Sequence, residues 1–243
     1  SWLLALAPMA RVSVTLAGDL GQRIYRRSFT WRAAGIDISA ASSRQLRGSH
    51  RTTREIMQVA MVISTNTDLK GDEDFVAPSL PDRVGPRVSR IKRSGDRIAE
   101  KAVVSRVTEL ARRYRGDSIC LAVPFNARLR RLTDELISAG VRAVNASGDA
   151  LAHLAEGTVA VTTYHQLKGL EFDHVILTGL DDHTMPGFYF RIEDSESESE
   201  KEQFLRRLVY MAMTRARKSV TLVGSTPFCR FFNDVPPDYI EEI

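Results

Sequence analysis

Hydrophobic positions along this chain alternate between short β-branched runs and longer stretches with a helical period. Downstream of a polar segment, the pattern predicts strands at Arg87 to Ile91, Ile119 to Val123, Val141 to Val144, Thr158 to Thr162, His174 to Thr178 and Val220 to Val223. Helices are predicted between them at Asp96 to Tyr114, Ala127 to Ala139 and about Glu200 to Met213. This alternation is typical of an α/β domain with a parallel sheet.

The chain before residue 87 has a less regular pattern. Val12 to Ala17 alternates as a strand, and Gly18 follows it as a turn residue. Thr52-Thr-Arg-Glu55 fits a capping box that opens a helix reaching about Met61. A polar segment from Ser64 to Gly85 is predicted to be a loop, as is the acidic run Ile192 to Glu202.

Composition agrees with one full domain and a remnant of another. The 243 residues are 43% hydrophobic, enough for a substantial core. The longest apolar run, Trp2 to Ala10, is too short to span a bilayer. Cys120 and Cys229 have neither metal-ligand spacing nor the density of a disulfide scaffold, so we expect a reducing compartment, the cytoplasm.

The net charge of +4 is unevenly distributed. Residues 1 to 150 carry 25 Lys and Arg against 15 Asp and Glu, whereas residues 151 to 243 carry 9 against 15. A basic first part suits a phosphate-rich partner, although arginines on solvated helix faces would give the same count. Charge alone therefore leaves nucleic-acid binding open.

Two polar motifs stand where one predicted element gives way to the next. Thr163-Tyr-His-Gln-Leu-Lys-Gly-Leu-Glu171-Phe separates two apolar strands, and Leu208-Val-Tyr-Met-Ala-Met-Thr-Arg215-Ala joins a helix to a strand. They resemble T-x-H-x-x-K-G-L-E-F and L-x-Y-V-A-x-T-R-A of the UvrD/Rep/PcrA-like superfamily 1 DNA helicases. Two upstream segments, Gly18 to Tyr25 and Leu46 to Thr52, resemble that family's third and fourth motifs, so four motifs follow the family's order.

The resemblance implies a RecA-like, P-loop NTPase-type parallel sheet flanked by helices. Residues 45–243 would form the second RecA-like domain and residues 1–44 a remnant of the first. The accessory 2B domain would be reduced to the short connection between Val144 and Thr158. The sequence contains no G-x-x-x-x-G-K-[ST] loop, so ATP and Mg²⁺ would be bound mainly by an N-terminal half outside this chain, which opens on Ser1 and is expected to be a fragment.

The family's catalytic positions match Arg51, Arg215 and Gln22. The two arginines would contact the γ-phosphate, whose departing charge an arginine can stabilise, and Gln22 would sense that phosphate. The alternatives are a structural salt bridge for each arginine and a turn-capping role for the glutamine.

The cofactor-binding positions match Glu171, Gly169 and His50. Glu171 would accept hydrogen bonds from the nucleotide sugar, Gly169 would provide a tight turn, and His50 would stack on adenine in place of the family's usual tyrosine. A water-facing glutamate and a surface histidine are the alternatives.

Single-stranded DNA would be the second ligand, since aromatic platforms and backbone-tracking donors suit it. The residues that match the family's DNA-contacting segments are Tyr25, Trp31, Asn126, Thr163, His165 and Lys168. Core burial of Trp31, N-capping by Asn126 and loop support by Lys168 compete with these roles.

The resemblance therefore implies part of an ATP-dependent 3′-to-5′ DNA helicase or translocase, with single-stranded or tailed DNA and the first RecA-like domain as partners. Alone, the chain would be inactive. A non-catalytic nucleic-acid-binding or regulatory module, and the motor portion of a helicase-nuclease, remain alternatives.

Overall fold

The computed structural model describes residues 51–65, 79–147, 150, 153–185, 187 and 197–243. The strand predicted at Val12 to Ala17 lies outside the described residues, and most of the loop predicted at Ser64 to Gly85 does as well. The same holds for four predicted site residues, Gln22, Tyr25, Trp31 and His50.

The described residues form a sheet of seven parallel strands. The strands are β1 (Val88–Arg93), β2 (Ile119–Val123), β3 (Ala143–Asn145), β4 (Val159–Thr163), β5 (Phe172–Thr178), β6 (Ala216–Ser225) and β7 (Ile240–Glu242). Their order across the sheet is β3-β4-β2-β5-β6-β1-β7, and every neighbouring pair is parallel. All strands therefore end at one edge, here the carboxyl edge, and begin at the other, the amino edge.

Helices cover both faces of this sheet. They are α1 (Arg54–Thr65), α2 (Asp96–Arg113), α3 (Leu129–Ser138) and α4 (Glu198–Met213). One core cluster joins α1 and α4 to one face through Ile56, Ile63, Leu205, Leu208, Cys120 and Ala122. A second joins α2 and α3 to the other through Val103, Val107, Leu132, Leu136, Leu121 and Val123.

Coverage of both faces explains why the central strands are continuously apolar. All five residues of β2 and all five of β4 are buried, as expected for a parallel sheet between two helical layers. The predicted α/β class with a RecA-like parallel sheet is confirmed.

Two local predictions were wrong, and one short strand was not predicted. The cap of α1 is Thr53, whose hydroxyl accepts from Ile56 N at 3.4 Å, and Glu55 accepts from Gly85 N at 2.7 Å instead of closing a box with Thr52. Residues 197–202 of the acidic run do not form a loop, because α4 begins at Glu198 with a capping box between Ser197 and Glu200. The pattern also missed β7, which is only three residues long.

The connection between β4 and β5 crosses one face of the sheet. Because the two strands are parallel, residues 164–171 travel from the carboxyl edge to the amino edge; we call this segment the crossover. Its first half is a 3-10 helix, Tyr164–Leu167, with Tyr164 and Leu167 fully buried. The Tyr164 hydroxyl donates to the Thr178 carbonyl at 2.7 Å, which fixes the start of the crossover against the end of β5.

Two candidate sites at opposite edges of the sheet

Three predicted nucleotide contacts lie together at the amino edge. Glu171 directly precedes β5, and Arg215 directly precedes the neighbouring strand β6. Phe172 N donates to the Arg215 carbonyl at 3.0 Å, which keeps the two strand starts side by side. Arg51 reaches this edge from the start of α1, and its Nε lies 2.5 Å from Glu171 Oε1.

The end of α4 positions Arg215. The helix stops at Met213, and Thr214 turns the chain while its hydroxyl donates to the Met211 carbonyl at 3.0 Å. Arg215 Nε donates to the same carbonyl at 3.1 Å, and the side chain is only 1% exposed. Its charge therefore lies in an environment where electrostatic contacts are less screened than in water.

Gly169 forms the turn that brings the crossover to the amino edge. Its φ is +85°, in the left-handed region that favours glycine. A Cβ at this position would meet nothing within 4 Å, so the glycine is required by conformation and not by close packing. Its predicted role at the nucleotide remains a prediction.

A network of polar side chains that the sequence reasoning missed lies next to these residues. The Asp117 carboxylate accepts a hydrogen bond from Lys218 Nζ at 2.7 Å, and its other oxygen lies 2.9 Å from His174 Nε2. Asp173 accepts from both the backbone N and the hydroxyl of Ser118, at 3.0 and 2.9 Å. The network ties together the starts of β2, β5 and β6; its sequence signal was a polar residue at the start of three predicted strands.

The network perturbs three protonation equilibria in the same direction. The hydrogen bond from Lys218 lowers the pKa of Asp117. The pKa of Asp173 is also lowered; burial opposes this shift, but the hydrogen bonds from Ser118 and the charges of Arg217 and Lys218 outweigh it. Burial lowers the pKa of His174, so its imidazole is neutral, with Nε2 donating to Asp117 and Nδ1 accepting from Ser219.

We expect this network to make the domain acid-sensitive. Carboxylates with a lowered folded pKa stabilise fully above their ordinary value of 3.8, and that stabilisation is lost as pH falls through the folded pKa. The lowered pKa of His174 adds a loss below its ordinary 6.5, because the unfolded chain takes up the proton first. Asp173→Asn should cost about 1 to 2 kcal/mol at pH 7 and progressively less in acid.

Urea unfolding followed by circular dichroism between pH 3 and 7 measures this difference. Asp134→Asn, at an exposed carboxylate of α3 outside the network, is the matched control and should follow the wild-type curve. A constant gap between the wild type and Asp173→Asn across the pH range would contradict the expected linkage.

Two predicted DNA contacts lie at the opposite, carboxyl edge. Thr163 ends β4 and is paired with Val123 at the end of β2. Asn126 is exposed in the 3-10 helix Asn126–Arg128 that follows β2. The N-cap alternative for Asn126 is wrong, because Phe125 caps the 3-10 helix and Arg128 caps α3, both without a side-chain hydrogen bond.

His165 and Lys168 lie on the crossover between the two edges. The imidazole of His165 stacks on Phe204 of α4, with ring centroids 5.9 Å apart. Burial lowers the pKa of His165, so the ring is neutral and can stack. Lys168 is exposed, one residue before the Gly169 turn.

None of the helices among the described residues is long and apolar enough to cross a membrane. The same residues also contain no group of three or more His, Cys, Asp or Glu side chains placed to hold a metal ion.

Comparisons with known proteins agree with the motifs. The UvrD-like helicase C-terminal domain family matches residues 141–225. The chain is 35% identical over 94 residues to DNA helicase II of Rickettsia typhi, 34% over 96 residues to ATP-dependent DNA helicase PcrA of Bacillus subtilis, and 34% over 107 residues to ATP-dependent DNA helicase UvrD1 of Mycobacterium tuberculosis. These matches cover 34%, 35% and 40% of this chain but only 14%, 12% and 13% of the three relatives.

A solved structure supports the fold. The C-terminal domain of a possible DNA helicase from Lactobacillus plantarum WCFS1 is similar with a TM-score of 0.58, covering 80% of this chain and 98% of that chain. The two sequences are 19% identical, so this likeness concerns the architecture alone.

Proposed function

We propose, from the UvrD-like helicase C-terminal domain that this chain carries, that it is the second motor domain of an ATP-dependent 3′-to-5′ DNA helicase or translocase. In this proposal a nucleotide binds at the amino edge, between this domain and a first RecA-like domain. A single strand of DNA crosses the carboxyl edge. The convergence of Arg51, Glu171 and Arg215 at one edge is the observation that carries the proposal.

The chemistry of these three residues suits the terminal part of a nucleotide. Two guanidinium groups can stabilise the charge that develops on a departing γ-phosphate. The Glu171 carboxylate can accept hydrogen bonds from ribose hydroxyls. Arg51 is paired with Glu171, so nucleotide binding would exchange this ion pair for one contact to phosphate and one to sugar.

The buried position of Arg215 sets a condition on the mechanism. At 1% exposure the guanidinium cannot meet a phosphate in the described conformation. The surroundings of Arg215 would therefore rearrange when the two motor domains close on ATP. Once reached, a desolvated arginine acts more strongly than one in water.

The remaining requirements of ATP hydrolysis would come from the first RecA-like domain. The sequence contains no G-x-x-x-x-G-K-[ST] loop, whose backbone cradles phosphates and whose hydroxyl helps to hold Mg²⁺. We therefore assign the phosphate loop and the Mg²⁺ ligands to that domain, and Gln22, by its motif, to the sensing of the γ-phosphate.

The carboxyl edge suits the binding of single-stranded DNA without sequence preference. Asn126 is exposed there, and Thr163 lies at the end of the adjacent strand in the sheet order. His165 provides a neutral aromatic ring at the start of the crossover. Tyr25 and Trp31, by their motif, would add further stacking surfaces, and Lys168 would approach phosphate.

Communication between the two sites would pass through the crossover. Thr163 directly precedes the crossover and Glu171 ends it, and its first half is held by buried Tyr164 and Leu167. A shift of Glu171 when nucleotide binds would therefore be transmitted to the DNA contacts. Alternating closure and opening of the two motor domains would then advance the protein along one strand.

The test is ATP hydrolysis by this chain alone and by a fusion to the first RecA-like domain of a UvrD-type helicase, each with and without oligo(dT). We expect no turnover by the chain alone and DNA-stimulated turnover by the fusion. Oligo(dT) binding by the chain, with no turnover in a folded fusion, would instead favour a nucleic-acid-binding module.

A further inference from the structure

Arg128 occupies the middle of the carboxyl edge. It ends the 3-10 helix after β2, two residues beyond Asn126, and its side chain is 22% exposed. It faces the loop after β5 through Thr184 and the first turn of α2 through Asp96. Strands β4, β2 and β5 are consecutive in the sheet, so a path from Thr163 past Asn126 leads to Arg128.

The contacts of Arg128 are long. Its Nη2 lies 3.9 Å from Asp96 Oδ2 and 3.5 Å from Thr184 Oγ1. Charge-assisted hydrogen bonds usually measure about 2.7 to 2.9 Å; in this domain Arg206 meets Glu202 at 2.8 Å and Arg106 meets Glu109 at 2.8 Å. The direct contacts of Arg128 are therefore longer than those of these arginines, and its charge also acts on the buried Asp181 carboxylate, whose pKa is raised by burial against the opposing effect of Arg128.

The partners of Arg128 are engaged elsewhere. Asp96 Oδ1 accepts from the Ser225 hydroxyl at 2.6 Å, which holds the carboxylate towards β6. The Thr184 backbone N donates to Asp181 Oδ1 at 2.8 Å, which holds Thr184 in the loop after β5. Both partners can therefore keep these bonds when Arg128 turns to another ligand, and both of its contacts to these partners use Nη2.

We propose that Arg128 is a phosphate-binding residue for the DNA strand that crosses the carboxyl edge, with Asp96 as the anion that a backbone phosphate replaces. This inference rests on the proposed function, since it assumes a strand on that edge. A guanidinium offers two parallel donors to a phosphate, which fit a phosphodiester better than the distant Asp96 carboxylate oxygen. The contact carries no sequence information and fixes the register of the strand.

The salt dependence of oligo(dT) binding by the full 243-residue chain tests this proposal by fluorescence anisotropy. On single strands each phosphate contact adds about 0.7 to the slope of log affinity against log salt. Arg128→Gln should lower the slope by about that amount and weaken binding roughly 3- to 10-fold at low salt. Arg128→Lys should keep the slope, because it keeps the charge.

Asp96→Asn provides a second measurement, in which the affinity for oligo(dT) should rise instead of fall. It removes the competing anion while its amide oxygen can still accept from Ser225, so we expect roughly 2- to 5-fold tighter binding. Arg142→Gln is the matched control: Arg142 is exposed and directly precedes β3 at the amino edge, and its loss should leave the slope unchanged. If Arg128 binds the phosphates of a DNA strand and not free phosphate, inorganic phosphate should displace no more DNA than chloride does at the same ionic strength.

The outcomes separate this inference from the proposed function. A wild-type slope in Arg128→Gln, no gain in Asp96→Asn, or displacement by inorganic phosphate would each overturn the assignment of Arg128 while DNA binding stands. If Arg128→Gln does not fold, Asp96→Asn decides alone. Absence of oligo(dT) binding by the wild-type chain would overturn both the proposed function and this inference.

Discussion

Arg215→Ala is expected to reduce DNA-stimulated ATP hydrolysis by the fused motor by about 10³- to 10⁵-fold. This range corresponds to about 4 to 7 kcal/mol of transition-state stabilisation. The physical reason is the position of Arg215 at the amino edge, buried at 1% exposure and held by the Met211 carbonyl. Once domain closure has rearranged these surroundings, a cation shielded from water stabilises the charge that develops on a departing phosphate more strongly than a solvated one does.

The measurement is steady-state turnover at saturating ATP and oligo(dT), with nucleotide affinity determined separately. Loss confined to kcat would show that Arg215 acts in the transition state, whereas an equal loss of affinity would indicate ground-state binding. Arg217→Ala is the matched control. That side chain is 41% exposed two residues further on and pairs with Asp173 at 3.3 Å, so its loss should lower turnover less than about threefold.

Because Arg215 is buried, its replacement could also disturb the fold. Urea unfolding and oligo(dT) affinity of Arg215→Ala report on this directly, and Arg215→Lys keeps the charge with less change in volume. A folded Arg215→Ala fusion that binds DNA and hydrolyses ATP at the wild-type rate would exclude Arg215 from the reaction.

Gly224→Ala is expected to cost about 3 to 5 kcal/mol of folding free energy. A Cβ on Gly224 would lie 2.0 Å from the Leu180 carbonyl oxygen and 3.0 Å from Phe228 Cε2. That carbonyl accepts from Cys229 N at 3.0 Å, while Leu180 N donates to the Val223 carbonyl at 3.2 Å. Backbone bonded on both sides cannot move away from the new methyl group without breaking hydrogen bonds.

Chemical unfolding followed by circular dichroism measures this cost, with Gly95→Ala as the control. Gly95 precedes α2 in extended conformation, and a Cβ there would meet nothing within 4 Å. We expect Gly95→Ala to cost less than about 1 kcal/mol. Equal stabilities for the two variants would show that the Leu180 carbonyl can move away from position 224 at little cost in free energy.

The regular part of the fold was predictable from the sequence because its periodicity is strong. Ile119–Val123 was predicted with both boundaries correct, since a five-residue apolar run between turn residues has few alternatives as a strand. Strand β7 was not predicted, because three residues are too few to show a period. The cap of α1 was assigned one residue early, since Thr52 and Thr53 are chemically equivalent and only the bond from Ile56 distinguishes them.

The candidate site was predictable where a motif existed and not where spatial proximity alone creates it. The motifs predicted Glu171 and Arg215, but nothing in the sequence showed that they are neighbours or that Arg51 pairs with Glu171. Asp117 and Lys218 are 101 residues apart in sequence, so their hydrogen bond follows only from the strand order. The separation of the predicted contacts between two edges likewise required the parallel sheet.

The crossover also limits how such a domain can change during evolution. Thr163 and Glu171 bound one short stretch whose first half is held by Tyr164, which donates its hydroxyl to the Thr178 carbonyl, and by buried Leu167. A substitution at either buried residue is expected to shift both ends together, so in the proposed motor selection could not change the DNA contact there without also changing the nucleotide contact. Residues of other elements, such as Asn126 at one edge and Arg51 at the other, can change without affecting the opposite edge.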